Sequence, residues 1–192
     1  MNLASFAELA VRLVNSRSCE PGADPLRSRE TFSDFVADRP ALAVPVTQHD
    51  LDRLGLLRDE LASIFAAAAA GRADEAAGRL NALLTIHPMQ PQLVAHDGEQ
   101  WHVHLSDCGS ATDRYAAMAV IGVTLLFSQL GAERLGTCAI ASCDRVFIDG
   151  SSNRSRRYCA DHSAARPNVT SIRPRRSGVS ADPIATGATA VS

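Results

Sequence analysis

Three cysteines and one histidine in the last third of the chain have the spacing of a metal site. Four residues separate Cys138 from Cys143, two separate Cys159 from His162, and fifteen (Asp144 through Tyr158) lie between the pairs, giving C-x4-C-x15-C-x2-H. Tetrahedral zinc takes four sulfur or imidazole ligands, usually delivered as two close pairs on turns. Four protein ligands leave no open position for water, so the expected ion is structural rather than catalytic. The interval between the pairs predicts a short hairpin, with 145–148 turning through Asp149-Gly150. So few large apolar groups lie in this segment that it has little core of its own. Ligation would supply the missing folding energy.

Arginines surround these ligands. Arg154, Arg156 and Arg157 fall just before Cys159, and Arg166, Arg173, Arg175 and Arg176 follow His162. From Arg134 to Arg176 there are nine Arg against three Asp, a local balance of +6, whereas the rest of the chain carries ten Arg against eighteen acids. An acidic body thus precedes a basic end. Arginines fixed around a metal turn bind phosphate by counterion release and charge-assisted hydrogen bonds, and the hydroxyls of Ser151, Ser152 and Ser155 could add contacts. All 19 basic residues are Arg, which agrees with a GC-rich coding bias as well as with phosphate recognition.

The elements that must position this segment are mostly helical. Hydrophobic residues make up 46% of the chain but aromatics only 5%, so the core is built from Leu, Ala, Val and Ile. Helical spacing of Phe6, Leu9, Ala10, Leu13 and Val14 predicts a helix over 5–15, and a shorter one is expected over 30–37. Asp50 is read as the N-cap of a helix carrying Leu51, Leu54, Leu57, Leu61, Ile64 and Phe65, stopped at Gly71. A second helix follows through Leu80, Leu83 and Leu84, and the two are expected to pack as an antiparallel hairpin. Asp97-Gly98 between β-prone runs predicts a β-hairpin of 92–95 with 100–105. The apolar run 110–130 is expected to be the central core helix, ended by Gly131.

Several functions are disfavoured. The apolar run around 115–127 is short of the roughly 20 residues a membrane span needs, and the N-terminus has no basic region of a signal peptide. A cytoplasmic protein is expected, and in a reducing compartment its five cysteines point to metal or free thiols. His102 and His104 alternate on a predicted strand near His96 and could form a second metal or ligand site, although ordinary polar positions beside Trp101 are the simpler reading. Cys19 and Cys108 have no flanking base in the sequence. No phosphate loop or nucleophile elbow occurs, and pairs such as Asp59-Glu60 read as solvent faces, so the protein is not expected to be an enzyme.

The stretch Arg134-Leu135-Gly136-Thr137-Cys138-Ala139, followed by Cys143-Asp144-Arg145-Val146-Phe147-Ile148-Asp149 and Asn153 through Cys159, resembles the CGNR zinc-finger family. The upstream region looks like the ABATE domain that precedes such fingers, on Leu13-Val14-Asn15-Ser16, the Arg58 to Leu84 helical pair and Trp101-His102-Val103-His104-Leu105. The resemblance implies a bacterial cytoplasmic regulator of transcription under stress. Its finger would bind zinc and DNA, and its helical domain would sense an undefined ligand. The signature tetrad falls on Ser163-Ala164-Ala165-Arg166, of which only the arginine matches. The family's fourth cysteine ligand would lie at Ser163, so His162 must substitute for it. Pro167 and Pro174 interrupt the basic helix that follows the tetrad in relatives.

The expected fold is therefore mainly α with a small β-hairpin (α+β), followed by a small zinc-ribbon-like module. Residues 1–131 form a helical regulatory domain, 132–176 the finger and 177–192 a disordered tail. One structural Zn2+ is expected on Cys138, Cys143, Cys159 and His162, and DNA contacts are expected from Arg154, Arg156, Arg157 and Arg166. The alternative is a protein-interaction module with a structural finger and no direct DNA binding.

Overall fold

Three of the described helices start at side chains that replace missing backbone partners. The computed structural model describes residues 3–17, 24–87, 89–95, 101–105 and 109–163, with the backbone alone at 3, 4, 102 and 104. Helix α1 runs Leu3–Asn15. Helix α2, Arg29–Phe35, starts at a capping box of Ser28 and Thr31. Helix α3, Gln48–Ala69, starts at a second box, in which the Thr47 hydroxyl accepts from the Asp50 N–H and the Asp50 carboxylate accepts from the Thr47 N–H. This corrects the sequence reading, which placed the cap at Asp50. Threonine before a run with Asp three residues on is itself an N-terminal signature.

Gly71, at φ +74, turns the chain from α3 into α4, Ala73–Ile86, and the two helices pack against each other as expected. A left-handed residue past a helix end suits glycine, which has no Cβ to clash. Strands β1, Gln92–Val94, and β2, His102–His104, pair antiparallel with Leu93 opposite Val103. Their predicted Asp97-Gly98 turn lies outside the described residues, as do Cys19, His96 and Cys108. Helix α5, Ala111–Leu130, ends at Gly131 and packs on α1, α3 and α4, so it is the centre of the core.

Helices α1 and α5 approach each other closely at Gly122. A Cβ at Gly122 of α5 would stand 2.3 Å from the Ala7 nitrogen and 2.4 Å from the Phe6 carbonyl carbon of α1. Nearby, the fully buried Tyr115 donates its hydroxyl to the Leu9 carbonyl at 2.9 Å. Burial raises its phenol above the usual range. No helix among the described residues is long and apolar enough to cross a membrane.

The N-terminal ends of α3 and α5 are tied together. Arg53 of α3 donates to Asp113 at 2.9 Å, Asp113 completes the Ser110 capping box of α5, and Thr112 donates to the Asp50 carbonyl at 2.9 Å. Burial alone would raise the Asp113 carboxyl, but the Arg53 guanidinium and the Ser110 hydroxyl and N–H outweigh it and hold the pKa at about 2. A folded value below the unfolded one contributes stability that is full above about pH 4 and lost as pH falls through about 2. The carboxylate is more than a third exposed, so screening reduces the contribution to about 1 kcal/mol. Asp113→Asn is expected to flatten the acid limb of stability against pH between about 4 and 2. Urea midpoints measured across that range would check it, and an unchanged slope would refute it.

Candidate metal centre

A second hairpin carries the predicted ligands. Strand β3, Leu135–Thr137, pairs antiparallel with β4, Val146–Ile148, with Gly136 opposite Phe147. The sequence reading put the hairpin between the two ligand pairs, turning at Asp149-Gly150. The observed one starts before Cys138, and its connection 138–145 holds the first two cysteines. Three-residue strands show too little alternation to reveal their partner. The Cys138 N–H donates to the Arg145 carbonyl at 2.8 Å, extending the ladder, and the Cys143 N–H closes a turn onto the Ile140 carbonyl at 3.0 Å. The Ala139 N–H donates to the Arg157 carbonyl at 2.9 Å, which sews this connection to the chain just before Cys159.

The second pair spans the start of α6, the single turn Ala160–Ser163: Cys159 precedes it, His162 lies on it, and the Ser163 N–H bonds the Cys159 carbonyl at 2.9 Å. Side chains three and four residues apart share a helix face, so His162 and Ser163 both lie over Cys159. The imidazole is the one that reaches inward. His162 Nδ1 is 3.4 Å from Cys138 Sγ and 3.3 Å from Cys159 Sγ, and Cys143 Sγ is 3.9 Å from Cys159 Sγ. The Ser163 hydroxyl instead donates to the Ala160 carbonyl at 2.8 Å.

All four ligand atoms lie within 4.8 Å of one another. With Zn–S near 2.3 Å and Zn–N near 2.0–2.1 Å, a tetrahedral site has S···S edges of about 3.8 Å and S···N edges of about 3.5 Å. The observed separations are close to those edges. The donor set of three sulfurs and one imidazole suits zinc and closes the coordination sphere. Burial alone would raise the Cys138 thiol, but the backbone N–H groups of Cys159 and Ile140 and the His162 ring bring it down to about 6. Cys143 is pushed up by burial and by the neighbouring sulfurs.

The arginine loop is organised by a residue to which the sequence reading gave no site role. Asp149 is 3% exposed and uses both carboxylate oxygens. Oδ1 accepts the Ser151 N–H at 2.8 Å and the Ser151 hydroxyl at 2.5 Å, and Oδ2 accepts the Arg156 N–H at 3.0 Å. An Asp accepting from the backbone two residues on is an Asx turn, and Asp149-Gly150-Ser151 was the available signal. Arg156 then lies over the Phe147 ring at 5.1 Å, with Nε donating to the Tyr158 carbonyl and Nη1 to the Ile148 carbonyl. Glycine at 136 makes room for that ring, since a Cβ there would be 2.4 Å from Phe147 Cζ.

The predicted arginines therefore differ in what they are free to do. Arg154 is exposed and ion-paired to Glu133 at 2.7 Å. Arg145, beside the ligands, pairs with Asp161 at 2.8 Å. The Arg157 side chain is exposed and has no hydrogen bond or ion pair among the described residues. Arg166 lies outside them.

The metal hairpin is anchored to the helices. Leu135 and Val146 are part of the same buried apolar cluster as the residues of α1, α3 and α5. At the end of α1, Asn15 donates from Nδ2 to the Val146 carbonyl at 2.9 Å and accepts the Val146 N–H on Oδ1 at 2.8 Å. One side-chain amide thus completes the pairing of a strand residue, 131 positions away.

The comparisons with known proteins match two family models in succession along the chain. A family model described as ABATE, "Putative stress-induced transcription regulator", matches residues 7–136. A second, described as the CGNR zinc finger, matches residues 134–176. Neither description names a catalytic activity. No curated protein matches the chain.

Proposed function

Because the chain belongs to the ABATE family and carries a CGNR zinc finger, we propose that it is a zinc-dependent, DNA-binding regulator of transcription acting in the cytoplasm. Residues 1–131 serve as the regulatory body, 132–176 as the finger and 177–192 as a tail. Cys138, Cys143, Cys159 and His162 hold one structural zinc. The observation that carries the reading is the closed set of three sulfurs and Nδ1, with the Arg156 backbone pinned by Asp149 beside it. A fixed loop presents guanidinium groups at little entropic cost. Arg156 and Arg157 contact backbone phosphates, helped by Arg154 and Arg166. The signature tetrad survives only at Arg166, so the fourth ligand is His162.

Changing Arg156 and Arg157 together to Ala is expected to weaken duplex binding by roughly ten- to a hundredfold for each phosphate no longer held, at about 1.5–3 kcal/mol each. The slope of log K against log salt should become shallower by about 0.9 for each of those phosphates. Zinc content should stay at one per chain. Fluorescence titrations of random and genomic duplexes over a salt series would measure this. A flat salt response in the wild type would overturn the proposal.

A second reading is a protein-interaction module whose finger is structural. The Arg154–Glu133 and Arg145–Asp161 pairs favour it, because they reduce the free positive charge beside the ligands. That reading expects no duplex binding at any salt.

A further inference from the structure

A cleft of about 390 Å3 lies between the C-terminal end of α3 and the arginine loop. It falls within the size range of small-molecule sites, roughly 300–1,000 Å3. Its lining combines apolar groups, Ala68, Ala69 and Phe147, with the arginines Arg154, Arg156 and Arg157. The two acids at the cleft, Glu133 and Asp149, are already spent. Glu133 is held by Arg154, and Asp149 by Ser151 and the Arg156 N–H. Among the described residues, the whole Arg157 guanidinium and the Nη2 group of Arg156 have no partner. Arg156 cannot swing away, because two carbonyls and the Phe147 ring fix its plane.

We propose that this cleft binds a small organic anion, a carboxylate or phosphate monoester with a compact planar or apolar body. The charged end bridges Arg156 Nη2 and Arg157, and the body lies against Phe147 and the α3 alanines. Bidentate capture of an oxyanion by guanidinium groups is a strong, geometrically selective contact. The occupant uses the arginines assigned above to phosphate, so it competes with DNA. That regulatory half rests on the DNA reading, whereas binding to the cleft does not.

The test titrates zinc-loaded full-length protein with phenyl phosphate, benzoate and inorganic phosphate by calorimetry, without DNA. Phenyl phosphate is expected to bind at least tenfold more tightly than inorganic phosphate. Ala69→Glu places a carboxylate in the lining at the exposed end of α3, and Thr137→Glu places one in the lining at the exposed end of β3. Each is expected to weaken phenyl phosphate at least tenfold while zinc content and melting temperature hold. In competition titrations phenyl phosphate should displace duplex DNA from the wild type and not from these variants. Equal affinity for phenyl and inorganic phosphate would leave only an unstructured anion patch and overturn the proposal, as would wild-type affinity in both variants. Should the chain bind no DNA, the calorimetric comparison still decides whether the cleft is a site.

Discussion

Cys159→Ser is expected to leave the purified protein without stoichiometric zinc and to unfold the segment from about Cys138 to Ser163 while the helices remain. Cys159 is 1% exposed and opens the turn that also delivers His162, so it holds half of the coordination sphere. A serine hydroxyl stays neutral near pH 7 and makes a poor zinc ligand. Structural zinc contributes an apparent 10–16 kcal/mol to small folds, on the order of the roughly 5–15 kcal/mol by which whole domains are stable. Little else holds α6, whose residues are not buried. Leu135 precedes this segment and keeps its own contacts with the helices, so the damage should stop near the start of the hairpin. Elemental analysis and amide hydrogen exchange would read both effects. His162→Ala should behave similarly, and adding Ser163→Cys to it should restore some zinc, because that position shares the helix face. Stoichiometric zinc in Cys159→Ser would sink the assignment of the ligands.

Gly122→Ala is expected to damage the helical body strongly. The new Cβ would meet two backbone atoms of α1 at 2.3 and 2.4 Å, and backbone cannot rotate aside. The helices must separate by about an ångström, loosening every contact along their shared face. Overpacking of a tight core costs about 1–3 kcal/mol and sometimes more, and this crossing belongs at the upper end. Gly55→Ala is the matched control. Nothing lies within 4 Å of a Cβ at Gly55, in the middle of α3. There the same change should stabilise by about 0.5–1 kcal/mol through helix propensity. Opposite shifts of the urea midpoint for one chemical change are the signature. Equal midpoints for Gly122→Ala and the wild type would show that the helices do not cross at this glycine.

The parts of the fold that repeat locally were legible in the sequence. The periodicity of Leu51 through Phe65 and the apolar run through Val120 and Val123 define α3 and α5, and Gly71 and Gly131 mark their ends. The four ligands were legible because coordination chemistry restricts residue type and spacing together. Contacts that join distant segments were not. The pairing of β3 with β4 rests on three residues a side, and the Asn15 clamp involves an amide with no pattern around it. The roles of the arginines depended on neighbours such as Glu133, Tyr158 and Phe147, which composition does not reveal.

The amide of Asn15 has a consequence for the order in which the molecule can be completed. Its partner is synthesised 131 residues later, so during translation the end of α1 waits with an unmet donor and acceptor until β4 has emerged. Contacts of such long loop closure form late and slowly. The finger, expressed alone, would begin life with Val146 unsupported. The end of α1 and strand β4 thus close the structure as a clasp closes a band, and a cut that frees either one opens the same fastening.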